Sequence, residues 1–204
     1  EIINSQETVA ISPAKTAQYY NNLFFDDFSD VRWENNIGQE AYTFGFATPE
    51  NKHLWTDFEL QNVREFTNSE KSIVINAMSD WGEALPEVNF IQSDDGNRPD
   101  LFFCFGSLDL ANADGQWNYF YNSDHIVTRA LIRFDVSDTS YDLREVALHE
   151  IGNILGLGDI RPSSSFVSIM EDPIPNYPSN VLTDFDISMI NTIYEYDGNL
   201  EIIT

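Results

Sequence analysis

The sequence predicts an α+β domain in which one sheet packs against a few helices, an α/β sandwich. Strand-like segments come early in the chain, capped amphipathic helices flank them, and no internal repeat or low-complexity linker divides them. The 204 residues are 42% hydrophobic and include 15 Phe, 9 Tyr and 4 Trp, which is enough apolar material for a sizeable core. We expect one domain over residues 31–204, preceded by an arm over residues 1–30 that docks through its aromatic side chains.

Five segments have the composition of strands and are separated by polar turns. They are residues 41–46, 88–91, 101–105, part of 109–124, and 126–136. The fourth segment is rich in Asn, Asp and Gly but carries four aromatic residues, which indicates a loop followed by an exposed edge strand. Cys104, the single cysteine, lies in the third segment, where we expect a buried thiol.

Three segments begin with a helix-capping pattern and continue with apolar residues at helical spacing. Each pattern is a capping residue with an acid three positions later: Thr67 and Glu70, Asp142 and Glu145, and Thr183 and Asp186. The second helix is expected to end at the glycine-rich segment 156–158, because glycine readily adopts the left-handed backbone that closes a helix.

The charge excludes several classes of function. With 34 Asp and Glu against 10 Lys and Arg, the net charge is −24, so the chain would be repelled by nucleic acid and by anionic membranes. No stretch is apolar for the length of a bilayer, so no membrane insertion is expected. The single cysteine rules out a disulfide framework and a multi-cysteine zinc site. No leader pattern precedes Glu1, and we expect a fragment or processed form.

The most informative stretch is residues 149–159. In a zinc metallopeptidase, H-E-x-x-H places two imidazoles on one face of a helix, and the intervening Glu acts as a base on metal-bound water. A glycine then lets the chain turn so that a third ligand reaches the metal. Here His149, Glu150 and Gly156 match this pattern, whereas Asn153 and Asp159 occupy the second and third ligand positions.

These residues resemble the metzincin metallopeptidases, and within them the matrixin and serralysin branch. The long motif of that family, H-E-x-x-H-x-x-G-x-x-H with a downstream Met-containing turn, aligns with residues 149–159 and 168–170. Similarity at residues 31–33, 133–135 and 182–187 extends the match to about residues 30–197. The resemblance implies a twisted mixed five-stranded sheet on an active-site helix. It also implies an upper lobe ending near residue 157 and a small C-terminal lobe that closes a cleft.

The resemblance also assigns the site residues. It implies that Glu150 is the catalytic base, that His149, Asn153 and Asp159 occupy the metal positions, and that Met170 forms a hydrophobic floor. Asp172 stands where serralysin-like enzymes carry a tyrosine. A neutral amide is a poor zinc donor, so the zinc affinity should be largely lost. Without metal, we expect His149 to bond a neighbour and Glu150 to be a structural carboxylate.

Three other metal arrangements are open from the residues alone. The oxygen-rich set of side chains around the expected metal position suits calcium better than zinc, with a plain solvated acidic rim as the alternative. The set is His149, Glu150, Asp159, Glu171 and Asp172. The segment 94–97 with Asp100 is either an acidic turn or a calcium loop. His125 is either a surface histidine or a replacement ligand.

The leading functional hypothesis is a secreted, monomeric metzincin-fold pseudoprotease that binds a protein or peptide in its cleft. The aromatic segment 117–121 would form a wall for an extended peptide bound by strand addition. One alternative is an active metallopeptidase in which His149 and Asp159, with water or His125, hold zinc. The other is an acidic, calcium-associated adhesion or surface module that inherited the fold.

Overall fold

The computed structural model describes most of the chain between residues 33 and 194. The described residues are 33, 41–55, 59–86, 88–93, 98–108, 113–121, 126–137, 141–160, 167–171 and 180–194. The predictions for the N-terminal arm, the acidic turn 94–97, His125 and Asp172 therefore concern residues outside the described ones. The division into two lobes near residue 157 stays a prediction.

Five strands form one mixed sheet, as the resemblance implies. The strands are β1 (Tyr42–Phe46), β2 (Phe90–Gln92), β3 (Leu101–Gly106), β4 (Gly115–Tyr121) and β5 (Val127–Asp135). Their order across the sheet is β2-β1-β3-β5-β4. The first four in this order are mutually parallel, and β4 pairs antiparallel with β5. The segment predicted to contain an edge strand thus supplies β4, which lies at the edge of the sheet.

Three α-helices and one short 3₁₀ turn (Lys52–Leu54) accompany the sheet in the described part of the chain. The helices are α1 (Asn68–Ala84), α2 (Leu143–Ile154) and α3 (Asp184–Tyr194). The predicted α+β fold class is confirmed. Thr67 and Glu70 form the expected reciprocal capping box at α1. At α2 the cap is simpler, because the Asp142 carboxylate accepts the backbone N–H of Arg144 at 2.9 Å.

The main core lies between one face of the sheet and the helices. Alternate residues of β3 face it, and Trp81 of α1 donates its indole N–H to the Leu148 carbonyl of α2 at 2.9 Å. On the opposite face, Phe102 and Cys104 pack beneath Trp55. Burial raises the pKa of the Cys104 thiol to about 12, so it stays protonated and unreactive at neutral pH.

Candidate functional site

Helix α2 carries the motif residues inside the protein. All residues from Val146 to Ile154 are buried, and His149, Glu150 and Asn153 expose only 6%, 6% and 3% of their surface. An apolar helix with three buried polar side chains needs partners for them, because unpaired buried polar groups are costly. The surroundings of these three side chains therefore define the site.

The turn after α2 brings the chain back beside the helix. Gly156 has a φ of 106°, a left-handed conformation that glycine adopts without steric cost. The N–H of Gly156 bonds the Asn153 carbonyl at 3.0 Å, and the N–H of Leu157 bonds the Gly152 carbonyl at 3.0 Å. This pair of bonds is a Schellman motif, as the glycine-rich exit predicts. Asp159 follows two residues after Leu157, and its carboxylate faces His149.

Two long-range contacts satisfy carbonyls at the end of α2. Trp33 donates its indole N–H to the Ile154 carbonyl at 2.8 Å, and the Tyr194 hydroxyl donates to the Leu155 carbonyl at 3.1 Å. These carbonyls lie in the last turn, where a helix offers no internal partner. The end of α2 is therefore held by residues from both ends of the described chain.

His149 is held at both ring nitrogens by hydrogen-bond acceptors. Its Nδ1 lies 2.9 Å from the Ile169 carbonyl, and its Nε2 lies 3.1 Å from Oδ1 of Asp159. A carbonyl and a carboxylate only accept, so both contacts are hydrogen bonds when the ring is an imidazolium with hydrogen on each nitrogen. Burial by itself would lower the pKa of His149. The hydrogen bond to Asp159, together with the charges of Glu150 and Asp159, outweighs burial and raises it to about 9.

Asp159 is the acceptor that connects the three motif positions. Burial would raise the pKa of its carboxyl, but the hydrogen bond and charge of His149 and a hydrogen bond from Asn153 hold the pKa below its usual range. The Asn153 side chain thus donates to Asp159, while its Oδ1 is buried without a hydrogen-bond partner. The structure therefore brings His149, Asn153 and Asp159 together through hydrogen bonds with one another.

Met170 packs directly against α2. It is fully buried, and a Cβ added at Gly152 would lie 2.5 Å from Met170 Sδ and 3.0 Å from Trp81 Cζ2. A glycine at position 152 is needed for this close approach of turn and helix. Met170 thus lies beneath the motif helix, where the resemblance places a hydrophobic floor.

Asp186 anchors the turn that contains Met170, a role that the sequence analysis missed. Its fully buried carboxylate accepts the Ser168 hydroxyl, the Ile169 N–H at 3.3 Å, and the N–H and hydroxyl of Thr183, each at 2.8 Å. The capping pattern at Thr183 indicates only the local part of this arrangement. The bonds to residues 168 and 169 span 17 or 18 residues and have no signal in the sequence.

Glu150 lies under the first residue of the edge strand. A Cβ added at Gly115 would overlap the Glu150 carboxylate and would lie 2.7 Å from Val146 Cγ1. With only 6% of the residue exposed, the carboxylate is covered by β4. The structure thus places the carboxylate of the predicted base against the backbone of β4 at Gly115.

The edge strand β4 presents aromatic side chains on the same face as Gly115. The rings of Trp117 and Tyr119 stack at 4.8 Å, and Tyr121 follows with 54% of its surface exposed. Because Asp135 donates its N–H to the Asp114 carbonyl, alternate residues from Asp114 onward bond β5. The backbone groups of Gly115, Trp117 and Tyr119 therefore point away from β5, and no other described strand pairs with that edge.

The donor set does not fit zinc. A zinc ligand needs a lone pair on a neutral imidazole, and both nitrogens of His149 already donate hydrogen bonds. Asn153 offers only an amide oxygen, and within the described residues no three His, Cys, Asp or Glu side chains are grouped to hold a metal. Glu171 is completely buried, so the alternative of a solvated acidic rim is wrong at that residue. Asp100, another candidate carboxylate, accepts the N–H and hydroxyl of Thr43 at 2.8 and 2.9 Å.

Comparison with known proteins identifies the family. A family model described as matrixin matches residues 50–195, which is well over half of the chain. No curated protein matches the sequence.

None of the described helices has the length and apolar character required to cross a membrane.

Proposed function

The chain belongs to the matrixin family of metallopeptidases, and from this premise we propose that it is a pseudoprotease that binds a protein or peptide without hydrolysing it. Members of this family normally bind zinc and calcium. A matrixin hydrolyses peptides with zinc-bound water, and zinc requires free imidazole lone pairs. The proposal is that this member retains the fold and the cleft but not the metal chemistry.

The observation that carries the proposal is the engagement of His149. Its ring donates to Ile169 and Asp159, and Asp159 also receives the Asn153 side chain. To bind zinc, the site would have to lose a proton from His149 and break the ion pair with Asp159. It would then offer one imidazole, one carboxylate and one amide, a weaker set than three imidazoles.

The covered position of Glu150 supports the same proposal. A general base must lie within hydrogen-bond reach of the water that it deprotonates. Gly115 of β4 packs against the Glu150 carboxylate, and Glu150 exposes only 6% of its surface to solvent water. The role that fits Glu150 here is electrostatic, since its negative charge favours the imidazolium form of His149.

The edge strand supports the binding part of the proposal. An extended peptide can add to an exposed sheet edge through backbone hydrogen bonds, while side chains on the strand provide specificity. The outward backbone groups of Gly115, Trp117 and Tyr119 would supply these bonds. The aromatic rings of Trp117, Tyr119 and Tyr121 would form the adjacent wall of the cleft.

Metal content and proteolysis test the first part. We expect purified protein to contain no stoichiometric zinc by elemental analysis after equilibration with zinc and desalting, and to leave casein intact. The matched control is Glu150→Ala, which should give the same casein result as the unaltered chain. Stoichiometric zinc together with EDTA-sensitive casein cleavage, abolished in Glu150→Ala, would refute the proposal.

A pair of substitutions at one position tests strand addition. Tyr119→Pro removes an outward N–H without removing a hydrogen bond to β5, a position where an edge strand tolerates proline. Tyr119→Ala removes the same side chain but keeps the N–H, so it is the matched control. We expect the binding of fluorescein-labelled casein peptides, measured by anisotropy, to be weaker for Tyr119→Pro than for Tyr119→Ala. Equal binding by the two variants, or no binding by the unaltered chain, would contradict strand addition.

Secretion is part of the proposal. Family membership supports it, because members of the matrixin family are often extracellular. Immunodetection in the culture medium of the source organism should find the protein outside the cells. Detection exclusively in the cell lysate would refute an extracellular location.

A further inference from the structure

The three positions that the resemblance assigns to a metal are joined directly to one another. His149 Nε2 lies 3.1 Å from Asp159 Oδ1, and the Asn153 side chain donates to the same carboxylate. In a zinc site these positions would be connected through the ion. Here hydrogen bonds connect them. We call this noncovalent group of His149, Asp159 and Asn153 the cross-link.

The cross-link also reaches the turn that contains Met170. His149 Nδ1 donates to the Ile169 carbonyl at 2.9 Å, and the N–H of Ile160, next to Asp159, donates to the Met170 carbonyl at 2.8 Å. These contacts form a closed ring through α2, the segment after it, and the turn. Each of the three segments is therefore tied to the other two.

We propose that the cross-link replaces a metal ion as the structural tie between α2, Asp159 and the Met170 turn, so that the fold does not depend on metal. The inference rests on the proposed function only in requiring that the site takes no zinc. The ring of His149 and the carboxylate of Asp159 lie 3.1 Å apart and satisfy each other's hydrogen-bonding groups in a site where His149 is almost completely buried. Removing one partner leaves the other buried without that hydrogen bond, which is destabilising.

Thermal unfolding with a double-mutant cycle tests this inference. We expect the Tm of the unaltered chain to be the same with EDTA, with added zinc and with neither. His149→Gln and Asp159→Asn should each lower the Tm by roughly 10 °C, since loss of one partner of a buried ion pair is a large perturbation for a domain of this size. The double variant should lose clearly less than the sum of the two single losses, because each single variant already removes the hydrogen bond that the two residues share.

The control is His53→Gln, which alters an exposed histidine whose Nδ1 lies 2.7 Å from the Glu50 carbonyl and should leave the Tm unchanged. Additive losses in the cycle, or a Tm that EDTA lowers, would overturn the inference. Should His149→Gln fail to fold, Asp159→Asn still decides, since a Tm equal to that of the unaltered chain would also overturn it. A failure of peptide binding would count against the proposed function and leave the cross-link untouched. Additive losses of Tm would count against the cross-link and leave the proposed function untouched.

Discussion

The ion pair of His149 should make the stability of the protein fall as the pH rises above neutrality. The pKa of His149 is raised from 6.5 to about 9 on folding, so the folded state holds a proton that the unfolded state has released in that interval. The stabilisation is complete below pH 6.5 and is lost as the pH rises through about 9. The contribution of Asp159 to stability has the opposite pH dependence. Folding lowers the pKa of its carboxyl from 3.8, so this contribution is lost only in acid.

The size of the effect follows from the shift. Each pKa unit corresponds to 1.36 kcal/mol, so a rise from 6.5 to about 9 corresponds to about 3 kcal/mol in the free energy of unfolding. For a protein of this length that is a decrease in Tm of roughly 6–12 °C between pH 6 and pH 9.5. The steepest part should lie between the two pKa values, where unfolding releases one proton.

Urea unfolding from pH 5.5 to 9.5 measures this dependence for the unaltered chain and for His149→Gln. The variant should be less stable at pH 6, and its free energy of unfolding should change less with pH. Cys104 also disfavours high pH, because its thiol ionises near 9.0 when unfolded and at about 12 when buried. Both proteins contain Cys104, so the difference between their curves isolates His149. A difference that stays constant from pH 6.5 to 9 would refute the assignment of His149 as a buried imidazolium.

Two further predictions concern the packing and the chemistry of α2. Gly152→Ala should lower the free energy of unfolding by about 1–2 kcal/mol, because the new methyl group would collide with Met170 Sδ. Gly82→Ala lies in the exposed interior of α1, with no atom within 4 Å of the new methyl group, and should raise the free energy of unfolding by about 0.5–1 kcal/mol. Chemical denaturation measures both changes. Changes of the same sign for the two variants would contradict the packing described. Asn153→His combined with Asp159→His should create a stoichiometric zinc site detectable by calorimetry, since two imidazoles would then share one face of α2 and the third would face them from the segment after the helix. The absence of a heat of binding would mean that more than the ligands has diverged.

Local patterns were sufficient for most of the secondary structure. The capping box of Thr67 and Glu70 and the left-handed Gly156 both appear as predicted, because each depends on hydrogen bonds or backbone preferences within a few residues. The strands were also found from short apolar runs, and the position of β4 at an edge followed from its mixed polar and aromatic composition. The arrangement of these strands into a five-stranded mixed sheet came from the resemblance and not from any single segment.

By itself, the sequence determined the elements, the family, and the presence of Asn153 and Asp159 at positions where a zinc site needs histidine. Only the tertiary structure decided what these residues do instead. It places Asp159 against His149 and covers Glu150 with Gly115. It also buries Asp186 beneath the Met170 turn. The physical reason is range: helix caps and turns are specified by neighbours in the chain, whereas the partner of a buried charge is specified by which distant segment packs against it.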